Sequence, residues 1–201
     1  MHYQRKDRYY KKAKQEGFRS RAAYKLVELD QKFKLFRPGM TVVDLGCSPG
    51  SWMQVIARAV GAVGRVIGLD TEVIPPLKEK NADFIRGDIR EERTKQQLLA
   101  MLGSKVDMIV SDMAPNLSGI KFQDHYNSYE LAEQAFKICR MVLKENGSFL
   151  VKIFPGEELE QFKHNLQSAF LKIQTIIPGA TRKTSTEVYI FAKGFRLTPK
   201  E

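Results

Sequence analysis

The sequence predicts an α/β domain built on a mostly parallel central sheet with an antiparallel last strand and helices on both faces. Two patterns carry that reading. Short apolar runs rich in Val, Ile and Leu recur along the chain, and amphipathic segments of helix length separate most of them. The last two runs, near 172–177 and 187–193, are instead joined by a short loop containing Pro178 and Gly179, so that pair should run antiparallel.

In chain order, Ser20 is placed to cap a helix running to about Phe33, since Ala22, Ala23, Leu26, Val27, Leu29 and Phe33 show mostly helical spacing. Arg37-Pro38-Gly39 ends it. A strand at 41–45 (TVVDL), a helix at about 50–60, strands at 65–69 (RVIGL) and about 83–86, and a helix at about 91–102 follow. The second half gives a strand at 106–111 (VDMIVS), a helix at about 125–144, a strand at 148–153 (SFLVKI) and a helix at about 157–169. Residues 117–127 form the longest expected loop, either a plain connection or a lid over a site.

A chain of 201 residues with 43% hydrophobic content is enough for one domain, 1–201, and short for two. No apolar stretch is long enough to cross a bilayer, and MHYQRKDRYYKKAKQ at the amino terminus lacks the apolar segment of a secretory signal, so a soluble, cytoplasmic protein is expected. Cys47 and Cys139 lie far apart without a C-x-x-C pattern, and His2, His125 and His164 are scattered, so neither a disulfide framework nor a metal site is expected.

The net charge of +10 is concentrated at the front. Residues 1–25 hold Arg5, Lys6, Arg8, Lys11, Lys12, Lys14, Arg19, Arg21 and Lys25 against Asp7 and Glu16, a balance of +7. Tyr3, Tyr9, Tyr10, Phe18 and Tyr24 are interleaved with them, a composition that suits phosphates plus stacking on unpaired bases and equally describes a solvated basic arm.

In open parallel sheets ligands bind at the carboxyl ends of strands. The first strand runs into Asp44-Leu45-Gly46-Cys47-Ser48-Pro49-Gly50-Ser51-Trp52, a tight turn opening a helix. A dinucleotide fingerprint starting at Gly46 needs glycines where Ser48 and Ser51 stand, which disfavours a nicotinamide cofactor. An acidic strand end beside a glycine turn suits the cationic, phosphate-free end of adenosylmethionine. Asp70 ends the next strand, where a carboxylate can accept from both ribose hydroxyls, and Asp88 follows the third, where an acceptor can meet an adenine amino group. Each acid alone also fits a strand-end cap, and Trp52 fits helix–sheet packing as well as ligand contact. Cys47 has no neighbouring base in sequence to make it a nucleophile.

From about Tyr10 to Gly194 the chain resembles the FtsJ/RrmJ family of ribosomal RNA ribose 2′-O-methyltransferases. The matching stretches include Glu16-Gly17-Phe18-Arg19-Ser20-Arg21-Ala22, Pro38-Gly39-Met40-Thr41-Val42-Val43-Asp44-Leu45-Gly46 and Ser111-Asp112-Met113-Ala114-Pro115-Asn116. Gly147-Ser148-Phe149-Leu150-Val151-Lys152 and Glu187-Val188-Tyr189-Ile190 follow in the family's order. The resemblance implies a Rossmann-like class I methyltransferase with a catalytic tetrad of Lys25, Asp112, Lys152 and Glu187. It implies S-adenosyl-L-methionine as cofactor, in a pocket lined by Gly50, Trp52, Asp70, Asp88 and Asp112. Ser51 replaces a glycine, and Cys47 and Ser48 replace alanines, that the family often carries.

The implied substrate is a uridine in the A-loop of large-subunit ribosomal RNA, with that RNA or the large ribosomal subunit as partner, the basic segment 1–34 in contact with it and the enzyme a monomer. Related enzymes modify transfer RNA or messenger caps, and an assembly factor that binds RNA without turnover is the alternative from another class. A ribose hydroxyl is a weak acid, so its attack on a sulfonium methyl benefits from a positioned base and accurate alignment. Lys152 ends an apolar strand; burial and Lys25 favour its free amine, Asp112 and Glu187 oppose, and from residue types alone two ordinary ion pairs at the sheet edge are the favoured reading, which the resemblance turns toward catalysis.

Overall fold

A computed structural model describes residues 8–182 and 186–197; Arg5, Lys6 and the other residues before Arg8 lie outside that range. Its strands are β1 (Thr41–Leu45), β2 (Arg65–Asp70), β3 (Ala82–Arg86), β4 (Val106–Ser111), β5 (Leu143–Ile153), β6 (Phe170–Ile176) and β7 (Val188–Phe195). They form one sheet in the order β3-β2-β1-β4-β5-β7-β6. β1 to β5 pair in parallel, and β7 runs antiparallel to both β5 and β6. The expected antiparallel final pair is therefore present, with β7 inserted between β5 and β6.

The helices are α1 (Arg8–Gln15), α2 (Ala23–Phe33), α3 (Ser51–Val60), α4 (Glu92–Leu102), α5 (Lys121–Val142) and α6 (Glu158–Ala169). Strand alternation divides the core. Val43, Ile67, Ile109, Val151 and Ile190 pack with Leu98, Phe136 and Phe162 of α4, α5 and α6. Their chain neighbours Val42, Val66, Met108, Leu150 and Tyr189 pack with Leu26, Met53 and Ile56 of α2 and α3 on the opposite face.

Three local expectations are corrected. The helix after the basic segment starts at Ala23 with no side-chain cap; the Ser20 hydroxyl accepts from the Ala22 N–H at 3.2 Å in the preceding turn and pairs with the Ser51 hydroxyl at 2.8 Å. Part of the basic arm is itself helical, because Ala13 of α1 buries against Tyr24 and Ala180 while the Tyr9 hydroxyl donates to Glu28. The loop before α5 is shorter than 117–127, since α5 begins at Lys121. The Asp124 carboxylate accepts from the Ser118 and Gly119 N–H groups and the Ser118 hydroxyl, which folds Leu117–Ile120 back onto the helix start.

Candidate active site

The loops at the carboxyl ends of β1 to β5 enclose two clefts. The first, about 770 Å³, is lined by Gly46, Ser48, Asp70, Asp88, Asp112 and Met113 among others, and α5 closes its outer side with Asn127 and Glu130. Gly46 sits at φ +74, and a Cβ there would lie 2.4 Å from Met113 Cγ, so only glycine lets the β4 loop approach the β1 turn. Asp70 pins that turn by accepting the Ser48 N–H at 2.8 Å and the Glu72 N–H at 2.9 Å. Both oxygens of Asp88 are held by the Arg90 guanidinium, whose hydrogen bonds outweigh burial and lower the carboxyl below its usual range.

Gly50 and Trp52 sit beside this cleft rather than on its lining. Gly50, at φ +96, caps α3 beneath the Arg19 guanidinium, which clamps the carbonyls of Pro49 at 2.9 Å and Pro76 at 2.6 Å. Trp52 is buried, with its indole N–H donated to the Ala22 carbonyl at 2.9 Å and its ring 5.9 Å from that of Tyr189. It joins α3 to α2. The Cys47 thiol is buried, and burial first, then the charges of Asp44 and Asp70, push its pKa far up, so it is no nucleophile.

The second cleft, about 620 Å³, lies between the start of α2 and the start of α5, and Lys25 and Glu187 form an ion pair in its wall. Strand register joins the clefts. Lys152 on β5 stands directly opposite Tyr189 on β7, and Asp112 follows Ser111, which pairs with Val151. Lys152 Nζ therefore reaches Asp112 Oδ1 at 3.0 Å and donates to the Asp112 carbonyl at 2.6 Å. The Tyr189 hydroxyl donates to the same Oδ1 at 2.6 Å, and Lys25 Nζ lies 5.8 Å from the centre of the Tyr189 ring. Burial by itself would raise the Asp112 carboxyl, but the charges of Lys152 and Lys25 and the two side-chain hydrogen bonds hold it below the usual range. Burial, reinforced by the Asp112 and Glu187 charges, raises Tyr189, which keeps it a phenol donor.

Tyr189 is the member that residue types alone did not single out. It lies two positions after Glu187, which immediately precedes β7, and that alternate spacing is the signal that points to it. The four residues Lys25, Asp112, Lys152 and Glu187 are thus gathered where the two clefts adjoin, with Asp70 and Asp88 along the first cleft.

Residues 18–195 match the profile of the FtsJ-like methyltransferase family. The chain belongs to that family. Its relatives include two proteins named ribosomal RNA large subunit methyltransferase E, from Stutzerimonas stutzeri (45% identity, 94% of this chain and 92% of the relative) and Methanosphaera stadtmanae (39% identity, 97% and 96%). Among solved structures, one from Plasmodium falciparum, provisionally assigned as a ribosomal RNA methyltransferase, superposes with a TM-score of 0.79 at 33% identity over 89% of this FtsJ-like chain and 98% of its own. Aeropyrum pernix fibrillarin with bound S-adenosyl-L-methionine, at 20% identity and a TM-score of 0.61 over 85% of this chain and 73% of its own, shares the Rossmann-like methyltransferase fold.

Proposed function

We propose that this FtsJ-like methyltransferase uses S-adenosyl-L-methionine to methylate a ribose 2′-hydroxyl of large-subunit ribosomal RNA, a uridine of the A-loop being the expected target. The observation that carries this is the buried Lys152–Asp112 pair standing between an acidic cleft and a cleft with a cationic rim. The acidic cleft fits the cofactor. It offers three strand-end carboxylates, Asp70, Asp88 and Asp112, and its backbone turn is brought close by Gly46, which matches an adenosine plus a cationic methionine end and lacks the three-glycine turn a pyrophosphate needs. Gly50 and Trp52 support it from behind by holding the turn against Arg19 and α2.

When bound, adenosylmethionine would supply an electrophilic methyl on sulfur. The chain's residues do the rest. The two acceptors on Asp112 engage two N–H groups of Lys152, so once the ammonium has given up its third proton the lone pair left is aimed away from Asp112 and can take the hydroxyl proton. Asp112, fixed also by Tyr189, keeps that amine in place, and Glu187 holds Lys25 beside the acceptor ribose. The basic residues Lys11, Lys12 and Lys14 of α1, with Arg21 in the turn before α2, carry the RNA backbone. The relatives' name favours large-subunit RNA over transfer RNA or a messenger cap.

The test is transfer of radiolabelled methyl from adenosylmethionine to total RNA and to ribosomal subunits, with the label located by nuclease digestion. Label in an alkali-resistant dinucleotide of large-subunit RNA is expected; cofactor binding with no label on any RNA or particle would favour the assembly-factor alternative. A second expectation separates the clefts. Asp70→Ala removes a carboxylate that both pins the turn and faces the cofactor, so adenosylmethionine affinity should fall about 10- to 100-fold in a titration, the size of one or two charge-assisted hydrogen bonds. Unchanged affinity would take Asp70 out of the cofactor site.

A further inference from the structure

We propose that His125 and Phe154 form a stacking wall for the base of the target nucleotide, with Lys121 beside its phosphate. This rests on the ribose-methylation reading and adds the contacts that hold the acceptor. A hydroxyl that reaches Lys152 from the side of Lys25 and Glu187 belongs to a ribose at the edge of the 620 Å³ cleft, and the attached base must enter it. A nucleobase buried there needs an aromatic face, and single-stranded RNA is held chiefly by such stacking.

The cleft supplies one. His125 on α5 and Phe154 after β5 both line it, edge to face with ring centres 6.3 Å apart, and both are half-buried. The wall is built before any ligand arrives. The Phe154 N–H donates to the buried Ser128 hydroxyl at 3.0 Å, and Pro155 restricts the Phe154 backbone that precedes it. Gly156 packs so closely under the imidazole that a Cβ there would lie 2.8 Å from His125 Cβ and 2.9 Å from Nδ1. Binding therefore orders little at this wall.

The charges of the cleft suit a phosphate. Its two acids are already engaged, Glu187 by Lys25 and Asp124 by Ser118 and Gly119, whereas Arg21, Lys121 and Arg182 add positive charge. Lys121, at the exposed first position of α5, makes no ion pair among the described residues. Stacking tolerates every base, so the wall holds the acceptor without choosing uridine.

The experiment uses the full chain and a synthetic RNA spanning the position mapped with the wild-type enzyme, prepared intact and as the same RNA abasic at that position. On intact RNA, His125→Ala should lower kcat/KM by about 5- to 100-fold, mainly through KM, with cofactor affinity unchanged, and His125→Phe should recover most of the loss. On abasic RNA the wild type should lose as much and the difference between it and His125→Ala should vanish. Lys121→Ala should weaken both RNAs alike, because the phosphate remains in each. A His125→Ala enzyme within twofold of wild type, or a deficit that persists on abasic RNA, overturns the stacking wall. Failure of the wild type to label any RNA or ribosomal subunit in the mapping step instead overturns the methylation reading beneath it.

Discussion

Lys152→Ala is expected to abolish methyl transfer while leaving adenosylmethionine binding within a few-fold. The Lys152 side chain is only 6% exposed, it does not line the acidic cleft, and its ion pair and hydrogen bond are both to Asp112. Loss of a positioned base lowers the rate by about 10²- to 10⁴-fold, whereas Asp70 and Asp88, the carboxylates proposed to meet the cofactor, are untouched. A structural complication follows from burial. Removing the cation strips Asp112 of its largest favourable charge, and breaking a buried pair from one side destabilises by about 3–5 kcal/mol.

Lys152→Met keeps the volume and so helps separate the two effects. Single-turnover methyl transfer, cofactor titration and melting curves on both variants are the measurements. If both bind cofactor, stay folded and still turn over within about tenfold of wild type, Lys152 is not the base. If binding falls as far as turnover, the division between clefts is wrong. Asp112, which lines the acidic cleft proposed for the cofactor and also grips Lys152, should damage both steps when replaced.

How much of this was legible depends on how local the determinant is. The parallel core could be read because Val42 and Val43, Val66 and Ile67, and Met108 and Ile109 send neighbouring side chains to opposite faces, and doubly buried strands read as continuous apolar runs. The insertion of β7 between β5 and β6 could not, since pairing order is set by contacts far apart in sequence. The start of α5 was hidden because Lys121, Phe122 and Gln123 are exposed and carry no apolar repeat; Asp124 reaching back to Ser118 is what fixes it. In the site, Asp70, Asp88, Asp112 and Lys152 announce themselves as polar residues at strand ends. Arg19 over Gly50 and Trp52 against Ala22 depend on how α2 and its preceding turn dock on α3, which no periodicity encodes. Ser51, a departure from the family's usual glycine, is accommodated by the Ser20 hydroxyl.

Asp44→Asn is expected to remove a fall in stability that the wild-type chain shows as pH rises above about 4. Asp44 lies in β1 between Gly68 of β2 and Val110 of β4, is 0% exposed, and neither carboxylate oxygen has a hydrogen-bond partner among the described residues. Burial pushes its carboxyl well above the usual range, and the charges of Asp112 and Asp70 push the same way. In the unfolded chain the group ionises near about 3.9. Below that pH both states hold the proton and Asp44 imposes no penalty. Above it the folded state binds more protons than the unfolded one, so stability declines by up to about 1.4 kcal/mol per pH unit until the folded pKa is reached.

Asparagine cannot ionise and shows no such slope. For a domain of this size the melting temperatures of variant and wild type should separate by up to about 3–5 °C per pH unit as pH is raised above about 4, until the folded pKa is reached. Asp112 and Asp88, both lowered, contribute the opposite trend, with stability lost as pH falls through their folded values. Because wild type and variant share those two groups, the difference between their melting curves isolates Asp44. A gap that stays constant across the range would mean that Asp44 is already ionised and has found a cationic or water partner. Saturating adenosylmethionine adds positive charge near Asp112 and Asp70, which favours ionised Asp44, so the same gap should narrow with cofactor bound; a gap indifferent to cofactor places Asp44 beyond the reach of that charge.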